Sequence, residues 1–279
     1  MKKLITMAIC YDFDGTLSPG NMQEYGFLRA INKASAKDFW EETNTLGFRE
    51  KADDIAAYMW VMLEKLKQKK IKPTRAAFRK FASDVELFAG VPEWFDRIND
   101  YARKHGVELR HYIISSGLKE MIEGTEIAKK FHTIFASSFM YNKKGEAFWP
   151  GIMLNYTSKT QFIFRINKGC EDLNDNETVN KYIPRSLRPI PFENMIYVGD
   201  GLTDIPCMKM VKTEGGHSVA VYDARKPKPR KIDQLVADNR VNAVKPADYR
   251  KGKPLELYIQ SVINKVVATY AVKDQEIKN

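Results

Sequence analysis

The chain has 279 residues, of which 44% are hydrophobic and 29% charged, and its formal net charge is +10. This is enough apolar material for the core of one large α/β domain or two smaller ones. No apolar stretch approaches the length of a bilayer span, which excludes an integral membrane protein, and we expect no membrane partner. The positive charge attracts phosphate-bearing partners, nucleic acid included.

The cysteines and the start of the chain indicate the compartment. Cys10, Cys170 and Cys207 show no paired spacing, which favours a reducing cytosol over a disulfide framework. Residues 1–3 and the apolar run behind them mimic a secretory leader. That run ends in residues 11–14, YDFD, without the small-residue site at which leaders are cleaved. We therefore predict a cytoplasmic protein.

The first predicted element lies in residues 4–17, LITMAICYDFDGTL. Its apolar run contains neither a charge nor a Gly or Pro, which predicts a buried strand. Asp12 and Asp14 then fall where open α/β sheets bind ligands, and Gly15 before Thr16 lets the backbone turn sharply. Asp12 is a candidate nucleophile or metal ligand, and Asp14 a candidate acid and base. The simpler alternative is a strand followed by an Asp-rich turn.

A helical tract follows this strand. Helical composition covers three ranges, with Pro73 at a first helical position: 21–45, 53–70 and 74–88. We predict a small helical subdomain over residues 18–89. The core then consists of residues 1–17 and 90–279.

Strands and helices alternate in the rest of the chain. Strands are predicted at 109–114, 133–139, 195–199 and 218–222. Helices are predicted at 92–105, 119–131, 159–166 and 255–270. Residues 141–156 suggest a hairpin, and residues 174–191 a loop with a short helix. This order predicts a doubly wound, Rossmann-like parallel sheet with right-handed crossovers and an inserted helical cap.

Two polar sites fall at the ends of these elements. Ser115 follows a predicted strand and offers a hydroxyl and backbone N–H groups to an anion, while Gly117 keeps that backbone approachable. Lys159 follows Thr157 and Ser158, a possible N-cap, so its ammonium lies at a helix start where a cation is unfavourable. This placement indicates a partner for Lys159. An ordinary turn serine and a solvated lysine are the alternatives.

A third polar site is the pair Asp200 and Asp204 in the sequence VGDGLTD. Two carboxylates four residues apart, directly after a strand, can face one Mg²⁺ together with Asp12.

Basic residues cluster in two runs, residues 65–72 (KLKQKKIK) and residues 225–231 (RKPKPRK). The first run is predicted to continue a helix with its lysines towards solvent, and the second to be an extended loop. Neither run has interleaved aromatic residues, and no nucleic-acid module signature is present. We therefore expect solvated surface and no nucleic-acid partner.

The order DFDGT, strand-Ser, Lys, GDGLTD resembles the four motifs of the haloacid dehalogenase-like hydrolase superfamily. The helical tract after the first motif resembles the subclass with a helical cap, which includes phosphoserine phosphatases. Relatives of that enzyme usually have a Glu nine residues after the nucleophile. Asn21 stands there in this chain, and Glu24 lies further on, so the resemblance leaves the substrate open.

The resemblance implies a Mg²⁺-dependent phosphatase acting through an aspartyl-phosphate on a small phosphorylated metabolite. Asp12 would be the nucleophile and Asp14 the acid and base. The metal would be held by Asp12, the Asp14 main-chain carbonyl and Asp200, with Asp204 a ligand or its partner. The phosphoryl oxygens would be held by Gly15, Thr16, Ser115, Ser116 and Lys159.

Two other functions stay open at this point. A phosphotransferase or phosphomutase would use the same aspartyl-phosphate, and a nucleic-acid-binding protein would use the fold as a scaffold. Because the motifs recognise only the phosphoryl group and the metal, substrate contacts are expected in the helical cap. By position, the candidates there are Asn21, Met22, Glu24, Tyr25 and Arg49.

Overall fold

The computed structural model describes residues 4–32 and 35–276, so the leader-like start at residues 1–3 lies outside the described residues. Within those ranges seven strands form one sheet with the order β4-β3-β2-β1-β5-β6-β7. All neighbours pair in parallel except β3 and β4, which are antiparallel. The strands are β1 (Ile5–Tyr11), β2 (Val107–Leu118), β3 (Thr133–Tyr141), β4 (Ala147–Ile152), β5 (Met195–Gly199), β6 (His217–Tyr222) and β7 (Ala243–Pro246). This confirms the predicted fold class.

The helices are α1 (Gly26–Ala30), α2 (Ala36–Glu50), α3 (Asp54–Gln68), α4 (Arg75–Phe81), α5 (Val91–Lys104), α6 (Lys119–Ile122), α7 (Thr160–Lys168), α8 (Asn176–Asn180), α9 (Ile205–Thr213), α10 (Arg230–Ala237) and α11 (Pro254–Glu276). The first four lie between β1 and the helix that leads into β2. Among residues 4–32 and 35–276, no helix combines the length and the apolar character needed to cross a bilayer.

Strand β1 is apolar throughout because it lies at the centre of the sheet, paired with β2 on one side and β5 on the other. Its side chains alternate between two buried clusters, one on each face. Ile9 and Tyr11 belong to one cluster, and Ala8 and Cys10 to the other. Both faces are therefore covered, as a parallel sheet requires.

Helices α1 to α4 extend the first of these clusters. Phe27, Phe39 and Phe78 are fully buried, and the ring of Phe78 stacks on Phe139 of β3 with centroids 5.3 Å apart. The inserted helices thus share a continuous apolar core with the hairpin of β3 and β4. The domain boundary at residues 18–89 stays a prediction.

Two predicted helices are shorter than expected. The helix predicted at 74–88 ends at Phe81. Its N-cap is Thr74, which accepts a hydrogen bond from Ala77 N, so Pro73 precedes the helix and is not at its first position. The helix predicted at 119–131 ends at Ile122. A Cβ on Gly124 would lie 2.2 Å from the carbonyl oxygen of Arg79, so the α4 backbone is packed against the chain at this point.

Helices α9 and α10 and strand β7 were not predicted from the sequence. The run at residues 225–231 is an extended loop only as far as Pro229, since α10 begins at Arg230. The run at residues 65–72 leaves its helix after Gln68, and Lys65 lies against Glu42 with a separation of 2.6 Å.

The three cysteines are free thiols, and all are buried. Cys10 lies on β1 and Cys207 on α9, both fully buried, whereas Cys170 follows α7.

Candidate active site

Asp12 lies directly after β1, at the carboxyl edge of the sheet. Its backbone N–H donates to Val198 O at 3.0 Å, which continues the pairing with β5. The side chain is 6% exposed, and Oδ1 accepts a hydrogen bond of 2.7 Å from Phe13 N. Burial and the nearby Asp204 raise the pKa of Asp12 to about 6, although Lys159 acts in the opposite direction. The carboxylate is thus held in one orientation beside a cation.

Lys159 is fully buried and ends a short turn, Tyr156–Lys159. Its Nζ lies 3.0 Å from Asp12 Oδ2 and 2.8 Å from Asp204 Oδ1. Burial by itself lowers the pKa of Lys159, but these two carboxylates outweigh it and the pKa is raised. Lys159 is therefore a buried ammonium with partners. The turn before it is capped by Asn155 with Ser158 as its third residue, so the predicted N-cap at 157–158 was wrong.

Asp204 is fully buried and each of its oxygens accepts hydrogen bonds. Oδ1 accepts from Tyr197 OH and Lys159 Nζ, both at 2.8 Å, and Oδ2 accepts from Gly201 N at 3.3 Å. Carboxylate oxygens of Asp12, Asp200 and Asp204 all lie within 4.8 Å of one another. The predicted acidic residues therefore come together, and Asp204 is the most enclosed of the three.

Asp14 lies on the turn that follows Asp12. Its Oδ1 accepts a hydrogen bond of 2.9 Å from Met22 N, at the start of the helical insertion. Burial and the charge of Asp12 hold the pKa of Asp14 well above its usual range. This environment favours the protonated carboxylic acid, which can donate a proton.

Two glycines let other groups approach these carboxylates. Gly15 has a φ of +72°, and a Cβ there would lie 2.2 Å from Asp200 Oδ2. A Cβ on Gly117 would lie 2.5 Å from Met22 Cε and 3.1 Å from Asp14 Oδ2. A larger residue is therefore strained at position 15, and at position 117 it would require the Met22 side chain to move.

Ser115 is 1% exposed, and its Oγ accepts a hydrogen bond of 3.0 Å from Gly117 N. The hydroxyl proton of Ser115 remains able to point elsewhere. The backbone carbonyl of Ser116 accepts a bond of 2.8 Å from Tyr58 OH of α3, which ties this loop to the helical insertion. The Oγ atoms of Ser116 and Thr16 are buried and meet no hydrogen-bond partner among the described residues.

These groups surround a pocket of about 460 Å³ at the carboxyl edge of the sheet. Its lining consists of Asp12, Asp14, Gly15, Pro19, Gly20, Asn21, Glu24, Ser115, Ser116, Gly117, Asp200, Thr203 and Lys226. Pro19, Gly20, Thr203 and Lys226 were not among the predicted site residues. Thr203 lies between two predicted aspartates and could have been found from that motif, whereas Lys226 has no such signal.

The predicted cap contacts fall into three groups. Asn21 and Glu24 line the pocket, and Glu24 Oε1 is held by Asn21 Nδ2 at 2.6 Å and by Trp40 Nε1 at 2.7 Å. Met22 contacts Asp14 through its backbone, and Tyr25 OH lies 3.5 Å from Ser18 Oγ. Arg49 is not brought to the pocket. It is exposed on α2 and pairs with the adjacent Glu50.

One protein family shares the sequence pattern of this chain over most of its length. Residues 9–209 match the model of the haloacid dehalogenase-like hydrolases, a range that holds the acidic residues and Lys159 described above. The chain belongs to this family. The predicted family is therefore confirmed, and its hydrolase chemistry frames the interpretation of the pocket.

Individual proteins resemble this chain over most of its length. An uncharacterized protein of Borreliella burgdorferi is 29% identical over 286 residues, which cover 92% of this chain and 96% of that protein. A haloacid dehalogenase family hydrolase from Salmonella enterica serovar Typhi has a TM-score of 0.56 at 16% identity, over 93% of this chain and 72% of that one. A phosphoserine phosphatase, solved as an analogue of its phospho-aspartyl intermediate, has a TM-score of 0.52 at 14% identity, over 92% and 99% of the two chains. These solved structures share the fold of this chain.

Proposed function

We propose that this chain hydrolyses phosphate monoesters of small metabolites through an aspartyl-phosphate on Asp12, with Mg²⁺ as its cofactor. The observation that carries the proposal is the convergence of Asp12, Asp14 and Ser115 on one pocket, with the buried ammonium of Lys159 against Asp12. A dianionic ester repels a carboxylate nucleophile unless positive charge lies beside it. The phospho-aspartyl analogue of the phosphoserine phosphatase with the same fold supports this chemistry.

The oxygen atoms at the site fit a hard divalent cation, because Mg²⁺ prefers carboxylate and carbonyl ligands. Because Gly15 has no side chain, the Asp200 carboxylate can lie directly against the backbone at residue 15. We assign Asp12, Asp200 and the Asp14 main-chain carbonyl as its ligands. Asp204, whose oxygens already accept hydrogen bonds within the protein, holds Lys159 in place. When bound, the cation supplies positive charge for the phosphoryl oxygens.

In the first half-reaction the Asp12 carboxylate attacks phosphorus, and the bond between phosphorus and the leaving oxygen breaks. Asp14 gives its proton to that oxygen, so the alcohol leaves neutral. Lys159 lies 3.0 Å from Asp12 Oδ2, and its positive charge offsets the repulsion between this carboxylate and the anionic phosphoryl group. The hydroxyl of Ser115 can donate to a phosphoryl oxygen because its own lone pair is occupied by Gly117 N.

In the second half-reaction water attacks the phosphorus of the aspartyl-phosphate. Asp14, now a carboxylate, takes one proton from that water, and the bond between phosphorus and Asp12 breaks. Inorganic phosphate leaves and both aspartates return to their initial protonation states. One residue thus serves as acid and then as base, which its enclosed position beside Asp12 permits.

We assign substrate selection to the helical insertion over residues 18–89. The motif residues contact only the phosphoryl group and the cation, so another part of the protein must contact the leaving group. Asn21 and Glu24 of the insertion line the pocket, and their mutual hydrogen bond fixes the orientation of the Glu24 carboxylate. A lid of this kind would also exclude water and bulky esters.

The test is a screen of phosphorylated metabolites with release of inorganic phosphate as the readout. We expect turnover of one or several small monoesters with Mg²⁺ and none in excess chelator. Alcohol acceptors are added in a parallel series. Transfer to an acceptor that outpaces hydrolysis would instead establish a phosphotransferase, and full activity in chelator would contradict the metal assignment.

A further inference from the structure

The pocket is strongly acidic except at Lys226. Among the described residues that line it, four are carboxylates, and Lys226 alone is basic: Asp12, Asp14, Glu24 and Asp200. The other nearby ammonium, Lys159, is fully buried and occupied by Asp12 and Asp204. Lys226 is exposed, so its charge is available to a molecule that enters the pocket.

The loop that carries Lys226 is docked on the linkers of the helical insertion. Arg225 Nη1 lies 2.7 Å from Glu86 Oε1, and its guanidinium lies over the ring of Phe88 with 5.6 Å to the centroid. Phe88 N in turn donates to Leu17 O at 2.9 Å. Residue 226 therefore approaches the pocket from the side where the chain leaves the sheet for the insertion and returns from it.

Hydrogen bonds directly after β6 also stabilise the conformation of this loop. Asp223 follows β6, and its carboxylate accepts hydrogen bonds from the backbone N–H and the guanidinium of Arg225. The backbone N–H of Lys226 donates to Asp223 O at 3.1 Å, which closes the turn. Lys226 thus lies in a hydrogen-bonded turn, and its side chain is exposed.

From this placement we infer that Lys226 binds a second anionic group, carried by the leaving group of the substrate. The inference rests on the proposed phosphatase function and adds the substrate class, which is a small phosphomonoester with an additional carboxylate or phosphate. The reacting phosphoryl group lies at Asp12 and Ser115, directly after β1 and on β2. Lys226 comes from the loop beyond β6 and lines the same pocket as Pro19 and Gly20. A pocket of about 460 Å³ has room for both groups.

Matched esters test this assignment. 3-Phosphoglycerate and glycerol 3-phosphate share a carbon skeleton and differ in one carboxylate. Propane-1,3-diol bisphosphate and 3-hydroxypropyl phosphate form the corresponding phosphate pair and distinguish the two kinds of anion. In the wild type we expect that, within one pair, KM is about tenfold lower for the ester that carries the second anionic group. This difference corresponds to one charge-assisted hydrogen bond.

Lys226→Gln keeps most of the side-chain length and removes the charge, so the KM ratio within that pair should fall by about tenfold. Lys228→Gln is the matched control, because Lys228 is on the same loop but outside the pocket lining, paired with Asp233. An equal loss for both members of each pair would overturn the inference and place Lys226 on the reacting phosphoryl group. An equal effect of Lys228→Gln on the KM ratio would also overturn the inference, because it would show that the overall positive charge of the loop is responsible.

Binding is measured separately so that failure of the inference can be told from failure of the proposed function. Titration calorimetry of the same esters with Asp12→Asn protein, with and without Lys226→Gln, reports affinity without turnover. A Lys226-dependent preference in binding without any hydrolysis by the wild type would contradict the phosphatase but support the anion site. Absence of the preference in both binding and KM would overturn the inference.

Discussion

The carboxylate of Asp12 has a fixed orientation because both of its oxygens have neighbours, Phe13 N and Lys159 Nζ. Asp12→Asn removes the attacking oxygen with little change in volume. We expect turnover to fall by at least about 1,000-fold, because an Asn amide is a far weaker nucleophile than a carboxylate. The measurement is steady-state phosphate release, with the far-UV circular dichroism spectrum as the check on folding.

Asp96→Asn is the matched control for this change, since Asp96 is exposed and pairs with Lys130. Retained activity of Asp12→Asn, after mass spectrometry has excluded deamidation, would rule out Asp12 as the nucleophile.

His111 makes stability depend on pH. It is buried on β2, where its ring nitrogens lie 3.1 Å from Tyr11 OH and 3.0 Å from Asn99 Oδ1, and burial lowers its pKa to about 3. The unfolded chain takes up a proton near the ordinary pKa of about 6.5, whereas the folded chain does not until about pH 3. The free energy of unfolding should therefore decrease as pH falls below about 6.5, by up to about 1.4 kcal/mol per pH unit.

Urea unfolding at several pH values between neutral and mildly acidic checks this expectation. His111→Gln should flatten the dependence, and the exposed His105→Gln should not. Buried carboxyls with raised pKa values, such as Glu120, act in the opposite direction, so only the difference between variant and wild type is diagnostic. An unchanged slope in His111→Gln would contradict the assignment.

At the scale of the elements, local sequence predicts an element best where it shows both that the element is buried and where the chain turns. Residues 195–199 carry no charged side chain and are followed by Asp200 between two glycines, and the strand there has the predicted bounds. By contrast, the helix predicted at 119–131 stops after Ile122, where the backbone of α4 comes against Gly124. That contact joins residues far apart in the chain, so no local pattern could reveal it.

The same distinction applies to the site. Asp12 and Asp200 directly follow β1 and β5, and Ser115 lies near the end of β2, so short patterns around these three residues could predict the site. Lys226 lies on a loop in which the adjacent Arg225 contacts Glu86 of the insertion, 139 positions away in sequence. A charged loop residue of this kind has no periodicity that separates it from solvated surface.

Asp53 couples helix formation to the loop that carries Lys159. Its Oδ1 accepts a hydrogen bond of 2.8 Å from Ile55 N as the cap of α3, and its Oδ2 accepts one of 3.2 Å from Asn155 Nδ2. Asp53→Ala should lower the free energy of unfolding by about 1 kcal/mol, the usual contribution of an N-cap. Chemical denaturation measures this, and the adjacent Asp54→Ala is the control for the lost charge. An equal effect of both variants would show that charge, not capping, is responsible.

For the molecule as a whole, cation binding should increase the free energy of unfolding. Asp12, Asp200 and Asp204 crowd their carboxylates within 4.8 Å, and a bound Mg²⁺ relieves that repulsion in the folded state alone. At about 100 times the dissociation constant, the gain would be about 2.7 kcal/mol. Thermal unfolding with and without Mg²⁺ measures it.

Asp200→Asn should remove most of this gain, because it takes away one ligand and one charge. The exposed Asp96→Asn serves again as the control. A Tm that rises equally with Mg²⁺ in wild type and Asp200→Asn would show that the cation acts elsewhere.

Labelling of the buried thiols can report local or global opening of the protein. Cys10 of β1 and Cys207 of α9 are buried in the same apolar cluster, and burial raises the pKa of Cys207 to about 12. A thiol-reactive reagent can modify such groups only when β1 or α9 separates from its neighbours, since the thiolate is the reactive form. The labelling rate at each cysteine then measures local or global opening. If Mg²⁺ slows labelling at Cys207 as well as at Cys10, cation binding makes β1 and α9 open as one cooperative unit.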